Sequence, residues 1–265
     1  MDDFELGLDP PHLGRVPDRA DQVGIVPLLA TCPERALIAL DEFQDVGRIP
    51  DLDGLIRSHI QHHGEVASYV FAGSEPGLMK QLFERKERPL YGAAVPMRLG
   101  RLADADIADY VADRFAQTSR SVGEALGPLL ESAQGHPQRA IMLAHHLWDQ
   151  VPSGEAGTLE RWEAAHAAAL AELQPEFDAI WRGYGSTVAQ KTLRLIVAGS
   201  GSAYRTAVLR RLELEKSAAS AAVQRLLDAA DVEEAGAGKY RVVDPLYAEW
   251  IARVDAGGGD AADEG

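Results

Sequence analysis

The sequence of 265 residues has a single cysteine, Cys32, and no apolar run of eighteen residues. One cysteine cannot form a disulfide within the chain, which favours a reducing compartment. A transmembrane helix needs about 18 apolar residues or more, so no membrane contact is expected. The first residues, MDDFELGLDPPHLGRV, are acidic and contain no apolar core of a signal peptide. We therefore predict a cytoplasmic protein.

Positive charge is also scarce. There are 26 Lys and Arg against 41 Asp and Glu, a net charge of −15, which argues against a chain that coats nucleic acid. The charge is uneven, however. Residues 186–254 hold ten Lys and Arg and eight Asp and Glu, a balance of +2, so the remainder carries −17. A slightly basic module on an acidic body is compatible with local DNA contact.

The segment ALIAL, residues 36–40, is followed directly by Asp41 and Glu42. A continuous apolar run of this length predicts a strand buried on both faces. In an open α/β sheet, ligands bind at the carboxyl ends of the strands. Two adjacent carboxylates there suit a Walker B role, in which one holds Mg²⁺ and the other polarises an attacking water. The alternative is that the acids only cap the helix that follows.

The segments after these acids predict a strand–helix–strand unit with a parallel sheet. DLDGLIRSHIQHHG places Leu52, Leu55, Ile56 and Ile60 on one helical stripe, and a second buried strand, residues 69–72, follows it. Ser74 ends that strand, where its hydroxyl suits sensing of a γ-phosphate; the alternative is a simple turn. PGLMKQLFERKERP predicts a short helix that stops before Pro89, and AVPMRLGRL predicts a third strand.

From Asp104 onward the pattern is helical, including a long alanine-rich helix over residues 158–182 after a linker at 152–157. The last segment predicts three helices and two strands around a Gly-rich turn, which is typical of a winged helix-turn-helix. We divide the chain into an irregular segment (1–34), an α/β segment (35–100), a helical lid (101–185), a winged helix (186–254) and a disordered acidic tail (255–265). The fold class is thus a partial α/β sheet followed by an all-α lid and a winged helix.

The winged helix has two interpretations. Its third helix, KSAASAAVQRLLDAA, is mostly Ala and Ser. It therefore has few side chains that could hydrogen-bond to bases in the major groove. The alternative is a module that contacts protein. If it binds DNA, the candidate contacts are its basic side chains: Arg205, Arg210, Arg211, Lys216, Arg225, Lys239 and Arg241.

Four segments occur in a fixed order before the winged helix: ALIALDEFQDV, YVFAGSEPGLM, RPLYGAA and GHPQRAIMLAHHLWD. Over residues 35–254 this order resembles the AAA+ ATPases of the signal-transducing STAND group, and most of all the archaeal-type ATPase branch, which also occurs in bacteria. The resemblance implies ATP and Mg²⁺ as cofactors. It implies that Asp41 holds Mg²⁺, Glu42 orients water and Ser74 acts as sensor 1. It also implies that Gly135, His136 and Pro137 form the motif through which the lid contacts the nucleotide.

The sequence departs from this family in two places. The phosphate-binding motif GxxxxGK[ST] is absent, and the 34 residues before the first strand are too few for its loop, helix and strand. Ala93 stands where relatives often carry Arg or Gln. We therefore expect the C-terminal portion of a longer ATPase, with weak or no hydrolysis, that acts as a nucleotide-controlled switch on a protein partner. The alternatives are a winged-helix DNA-binding regulator and a protein-interaction module with a vestigial ATPase core.

Overall fold

The computed structural model describes residues 35–257, with side chains as far as Val254. The first unit consists of strand β1 (Ala36–Leu40), helix α1 (Leu52–Ile60), strand β2 (Ala67–Phe71) and helix α2 (Pro76–Glu84). The two strands are parallel and paired in register from Ala36–Ala67 to Leu40–Phe71. Phe43, Leu82 and Leu90 form a small core beneath them. The predicted strand–helix–strand unit is confirmed.

Two predictions about this sheet are wrong. β1 is not buried on both faces, because Leu37 is 72% exposed, and on β2 the residue Val70, which pairs with Ala39, is 49% exposed. The proposed third strand at residues 94–102 has no regular structure, and Val95, Met97 and Leu99 on it are exposed. A strand requires a neighbour to bond its backbone N–H and C=O groups. Within residues 35–257, β1 and β2 pair only with each other.

The segment predicted to be a helical lid, which keeps the name lid below, comprises α3 (Asp104–Gln117), α4 (Leu126–Ala133), α5 (Pro137–Gln150) and α6 (Leu159–Gly183). Ile107, Val111 and Phe115 are buried on one face of α3, as its periodicity predicts, whereas Tyr110 is half-exposed. The 25-residue α6 confirms the predicted long helix. Within the described range, no helix is long and apolar enough to cross a membrane.

The C-terminal module, as we call residues 187–257, contains α7 (Thr187–Ala198), α8 (Thr206–Arg211), α9 (Lys216–Asp228) and the antiparallel pair β3 (Val232–Glu234) and β4 (Tyr240–Val242). These are the expected three helices and two strands. A further helix, α10 (Pro245–Gly257), extends three residues into the tail that was predicted to be disordered. Residues 1–34 and 258–265 lie outside the described residues.

The lid and the C-terminal module share one hydrophobic core, which includes Phe115 and Leu143 from the lid and Ile196, Val232 and Ile251 from the module. The α/β unit touches this body through α2 and α9. A Cβ added at Gly77 would stand 2.7 Å from the Asp228 Cα, so the two helices approach at backbone distance there. The molecule therefore consists of a small α/β unit against a larger helical body.

Candidate functional site

Three of the predicted site residues meet at one edge of the parallel sheet. Asp41 and Glu42 follow β1 directly, and Ser74 follows β2. The strand ladder continues past both strands, because Ala72 N donates to Leu40 O and Phe43 N donates to Ala72 O, each at 2.8 Å. The extended ladder holds the two turns side by side. As a result Ser74 Oγ donates to Glu42 Oε2 at 3.3 Å.

The backbone of Glu42 is unusual. Its φ of 49° and ψ of 37° place it in the left-handed region, which costs a non-glycine residue about 1–2 kcal/mol. Its N–H donates to Asp41 Oδ1 at 2.9 Å, which fixes the two acids relative to each other. Glu42 precedes a short 3₁₀ turn, Phe43–Arg48, but makes no side-chain capping bond to it. The geometry thus does not support the interpretation that Glu42 is only a cap.

Gln44, which was not predicted as a site residue, connects Glu42 to Ser74. Its side chain is buried, and its Nε2 donates to Glu42 Oε2 and lies 3.5 Å from Ser74 Oγ. The same carboxylate oxygen therefore has two donors. The hydrogen-bonded set of Glu42, Gln44 and Ser74 is called the carboxylate triangle below.

The edge carries hard oxygen ligands and little free positive charge. Asp41 and Glu42 are exposed carboxylates, and Ser74 adds a hydroxyl. The nearby Arg48 pairs with Asp45 at 2.6 Å and with Glu75. Mg²⁺ is typically held by one or two carboxylates together with waters and substrate phosphates, so this donor set fits that ion. The described residues offer no group of three or more His, Cys, Asp or Glu that could hold a metal on their own. Waters or phosphate oxygens would therefore have to complete the coordination.

The predicted lid motif lies elsewhere in the fold, between the lid and the C-terminal module. Gly135 has a φ of +74°, and its carbonyl accepts from Leu102 N at 2.9 Å. His136 caps α5 through Nδ1, which accepts from Arg139 N, and Pro137 is the first residue of that helix. The charged neighbours of His136 are Arg101, Arg139, Glu233 and Asp244, and none of these belongs to the β1–β2 edge. Burial, as the largest cause, lowers the pKa of His136.

A polar cluster surrounds this motif. Arg139, which is almost fully buried, donates from Nε and Nη2 to Asp244 Oδ2 at 2.9 and 2.6 Å. Asp244 Oδ1 in turn accepts from Leu246 N at 2.9 Å and so caps α10. On the other side Arg101 donates to Glu233 at 2.6 Å and to Val243 O at 2.6 Å. The lid and the module are therefore joined by ion pairs and hydrogen bonds in addition to their shared apolar core.

Glu233 receives a second cation from Arg241, at 2.6 Å. Burial alone would raise the pKa of this carboxyl, but the hydrogen bonds and charges of Arg101 and Arg241 outweigh it and lower the pKa. Because Arg241 is committed to Glu233, it is a poorer candidate for DNA contact than its position in the β-hairpin suggested.

The other candidate DNA contacts are all exposed on the C-terminal module. Arg225 donates to Ala221 O on its own helix, and Lys216 lies over the Tyr204 ring at 5.7 Å. α9 buries Ala219, Ala222, Val223 and Leu226 against the core, and its far end contacts α2. The exposed face of α9 is therefore the part that remains accessible to a ligand.

A comparison with solved structures identifies a protein with a similar fold. The Walker-type ATPase PABY2304 of Pyrococcus abyssi aligns with a TM-score of 0.62 and 17% sequence identity, over 82% of this chain and 63% of that chain. The alignment shows that this chain shares the fold of that ATPase over the aligned residues. It spans less than two thirds of that ATPase. Neither a protein-family model nor a curated protein matches the sequence. Membership of the STAND group and of its archaeal-type branch stays a prediction.

Sequence reasoning overlooked Gln44, Arg101, Arg139 and Asp244. One signal was present for Arg139, which lies four and eight residues before the buried Leu143 and Leu147 of α5, so that a charge falls on the apolar stripe. A buried charge is normally paired, and its partner was thus to be expected. The partner, 105 residues away, has no local signature.

Proposed function

We propose that this chain is part of a nucleotide-controlled switch of the AAA+ and STAND type that binds Mg-ATP at the β1–β2 edge. One observation carries the proposal: Asp41, Glu42 and Ser74 converge at the carboxyl ends of two parallel strands. Ligands of open α/β sheets bind at that edge. The likeness of the fold to a Walker-type ATPase supports the same assignment.

In this assignment Asp41 would hold the Mg²⁺ ion, which would supply positive charge beside the phosphates. Glu42 orients the attacking water, and Ser74 contacts the terminal phosphate. Backbone N–H groups of a GxxxxGK[ST] loop, the usual cradle for the phosphates, are not supplied by this sequence. We therefore expect the affinity to depend strongly on Mg²⁺ and turnover to be slow.

Output of the switch would pass through the lid and the C-terminal module, which form one body with a common core. Nucleotide at the edge would favour one arrangement of this body against the α/β unit, and the α2–α9 contact is where the two meet. A ligand shifts such an equilibrium only by its difference in affinity for the two states. The winged-helix assignment of residues 186–254 and a protein partner belong to this proposal.

The test is calorimetric titration of the full chain with ATP, with and without Mg²⁺. Asp41→Ala should weaken binding at least about tenfold, which is about 1.4 kcal/mol. Glu65→Gln is the matched control, because Glu65 is an exposed acid just before β2, at the opposite edge of the sheet. Absence of Mg-ATP binding, or equal affinity in Asp41→Ala, would overturn the proposal.

DNA binding by the C-terminal module is a second candidate function, favoured by exposed basic side chains that include Arg205, Arg210, Lys216 and Lys239. Fluorescence anisotropy with a labelled duplex would test it at two salt concentrations. Each lost phosphate contact should reduce the slope of log K against log salt by about 0.9. Arg210→Gln should show this reduction, and Lys80→Gln, which changes an exposed side chain of α2, should not. A slope near zero for the unmodified chain would exclude the function.

A further inference from the structure

Gln44 is one of few polar side chains buried in the described part of the chain, with an exposed fraction of 3%. A primary amide offers two donors and a carbonyl acceptor, and a buried polar group without a partner destabilises the fold. The Nε2 of Gln44 has Glu42 and Ser74 as neighbours, whereas its Oε1 is buried and, among the described residues, lacks a hydrogen-bond partner. A buried amide held in this way calls for an explanation beyond packing.

The chemistry of the neighbours fixes the orientation of this amide. An ionised carboxylate only accepts hydrogen bonds, so the nitrogen of Gln44 must face Glu42. The opposite orientation would place two acceptor oxygens together. With Ser74 Oγ donating to the same Oε2 at 3.3 Å, the carboxylate of Glu42 is held from two sides.

Gly73 makes room for the amide. A Cβ at this position would stand 2.5 Å from Gln44 Oε1 and 2.7 Å from Met79 Sδ, both closer than real Cβ contacts. The φ of Gly73 is not in the left-handed region, so the glycine is needed for space and not for backbone freedom.

From these contacts we infer that Gln44 is a positioning residue, which holds the Glu42 carboxylate and the Ser74 hydroxyl in one geometry beside Asp41. The inference deepens the proposed function and rests on it for what Glu42 does. An exposed Glu side chain samples many rotamers, and this conformational entropy works against a fixed orientation. A group that orients water needs such an orientation, and a misplacement of 1 Å can cost about a hundredfold in rate.

The first measurement is the side-chain amide resonance of Gln44 in the ¹⁵N-labelled full chain, assigned by its loss in Gln44→Leu. We expect these protons to exchange slowly with water and to shift in both Glu42→Gln and Ser74→Ala. Glu65→Gln should leave them unchanged. The internal reference is Gln117, whose Nε2 donates to Asp113 at 2.7 Å on an exposed helix face and should exchange fast. The inference is overturned if the Gln44 amide protons exchange as fast as those of Gln117, or if their resonance does not shift in Glu42→Gln.

A second variant tests the space under Gly73. Gly73→Ala should displace the Gln44 resonance and remove its protection, because the methyl group occupies the place of Oε1. Gly64→Ala is the matched control, since a Cβ there has nothing within 4 Å. An unchanged Gln44 resonance in Gly73→Ala would contradict the proposed packing.

Kinetics separate this inference from the proposed function. Gln44→Leu should lower the turnover number for Mg-ATP at least about tenfold and leave the dissociation constant within about threefold, because Gln44 positions and does not bind. If Mg-ATP fails to bind while the Gln44 amide still responds to Glu42→Gln, the proposed function is wrong and the carboxylate triangle stands. If Mg-ATP binds through Asp41 and Gln44→Leu turns over normally, the inference alone is wrong.

Discussion

Arg139 and Asp244 are 105 residues apart in sequence, and their side chains meet at 2.6 Å between the lid and the C-terminal module. Only 8% of the Arg139 side chain and 20% of the Asp244 side chain are exposed. The same carboxylate caps α10 through its other oxygen. One side chain thus joins two parts of the helical body and begins its last helix.

Removal of this carboxylate should be costly. Asp244→Ala leaves the Arg139 charge buried without its partner and removes the cap, so we expect unfolding free energy to fall by about 3 kcal/mol or more. Asp244→Asn keeps a capping oxygen and should lose less. Urea denaturation measures both. The control is Asp149→Ala, whose exposed pair with His145 at 3.7 Å should be worth less than about 1 kcal/mol. Equal effects for Asp244→Ala and Asp149→Ala would disprove the buried pair.

His136 should make stability depend on pH. Because burial lowers its pKa in the folded state, the unfolded chain binds a proton more readily. The contribution is therefore fully present above the unfolded pKa of about 6.5 and is lost as pH falls from there toward the folded pKa. Protonation also turns the Nδ1 acceptor, which caps α5, into a donor.

The variant His136→Asn isolates this effect, since Asn is a good N-cap and does not titrate. Denaturation midpoints at pH 7.5 and 5.5 should differ less in His136→Asn than in the unmodified chain. The other histidines are present in both proteins, so their contributions to the pH dependence of stability cancel in the comparison. The same loss of stability on acidification in both would assign the pH dependence to other groups.

Gly77 tests how the α/β unit meets the helical body. Alanine is worth up to about 1 kcal/mol over glycine inside a helix, but at Gly77 a Cβ would stand 2.7 Å from the backbone of Asp228. The overpacking should cost about 1–3 kcal/mol and outweigh the helical gain. Gly127→Ala is the matched control, because Gly127 lies in α4 and has nothing within 4 Å of the added Cβ. Thermal unfolding should show Gly77→Ala below, and Gly127→Ala at or above, the unmodified chain; the reverse order would rule out the close approach.

The sequence was sufficient to predict the features that depend only on residues close together in the chain. β1 and its terminal acids, the alignment with Ser74, and the long helix α6 all follow from local patterns of apolar and polar residues. The exposure of Leu37 could not be predicted, because the sequence of an apolar strand does not show whether another layer of the fold covers it. A third strand was expected from Val95, Met97 and Leu99, but a strand also requires an adjacent backbone, which no local pattern provides.

The carboxylate triangle was predicted in part. Glu42 and Ser74 were expected to lie together because parallel strands end at a common edge, whereas Gln44 depends on a buried amide packing over Gly73. Contacts of that kind join a turn to a strand end about thirty residues away. The Arg101 and Arg139 clusters depend on still longer separations, and single residues in helices and loops do not reveal them.

The irregular segment at residues 94–100 determines where a protease should first cut the protein. It connects the α/β unit to the helical body, it forms no helix or strand, and Arg98 within it is exposed. A protease needs a stretch of accessible backbone, which this segment offers without unfolding of either part. Among the bonds of residues 35–257, trypsin should therefore cut first after Arg98. The C-terminal product retains the shared core that contains Phe115, Leu143 and Ile251, and mass spectrometry should find it persisting as a resistant fragment.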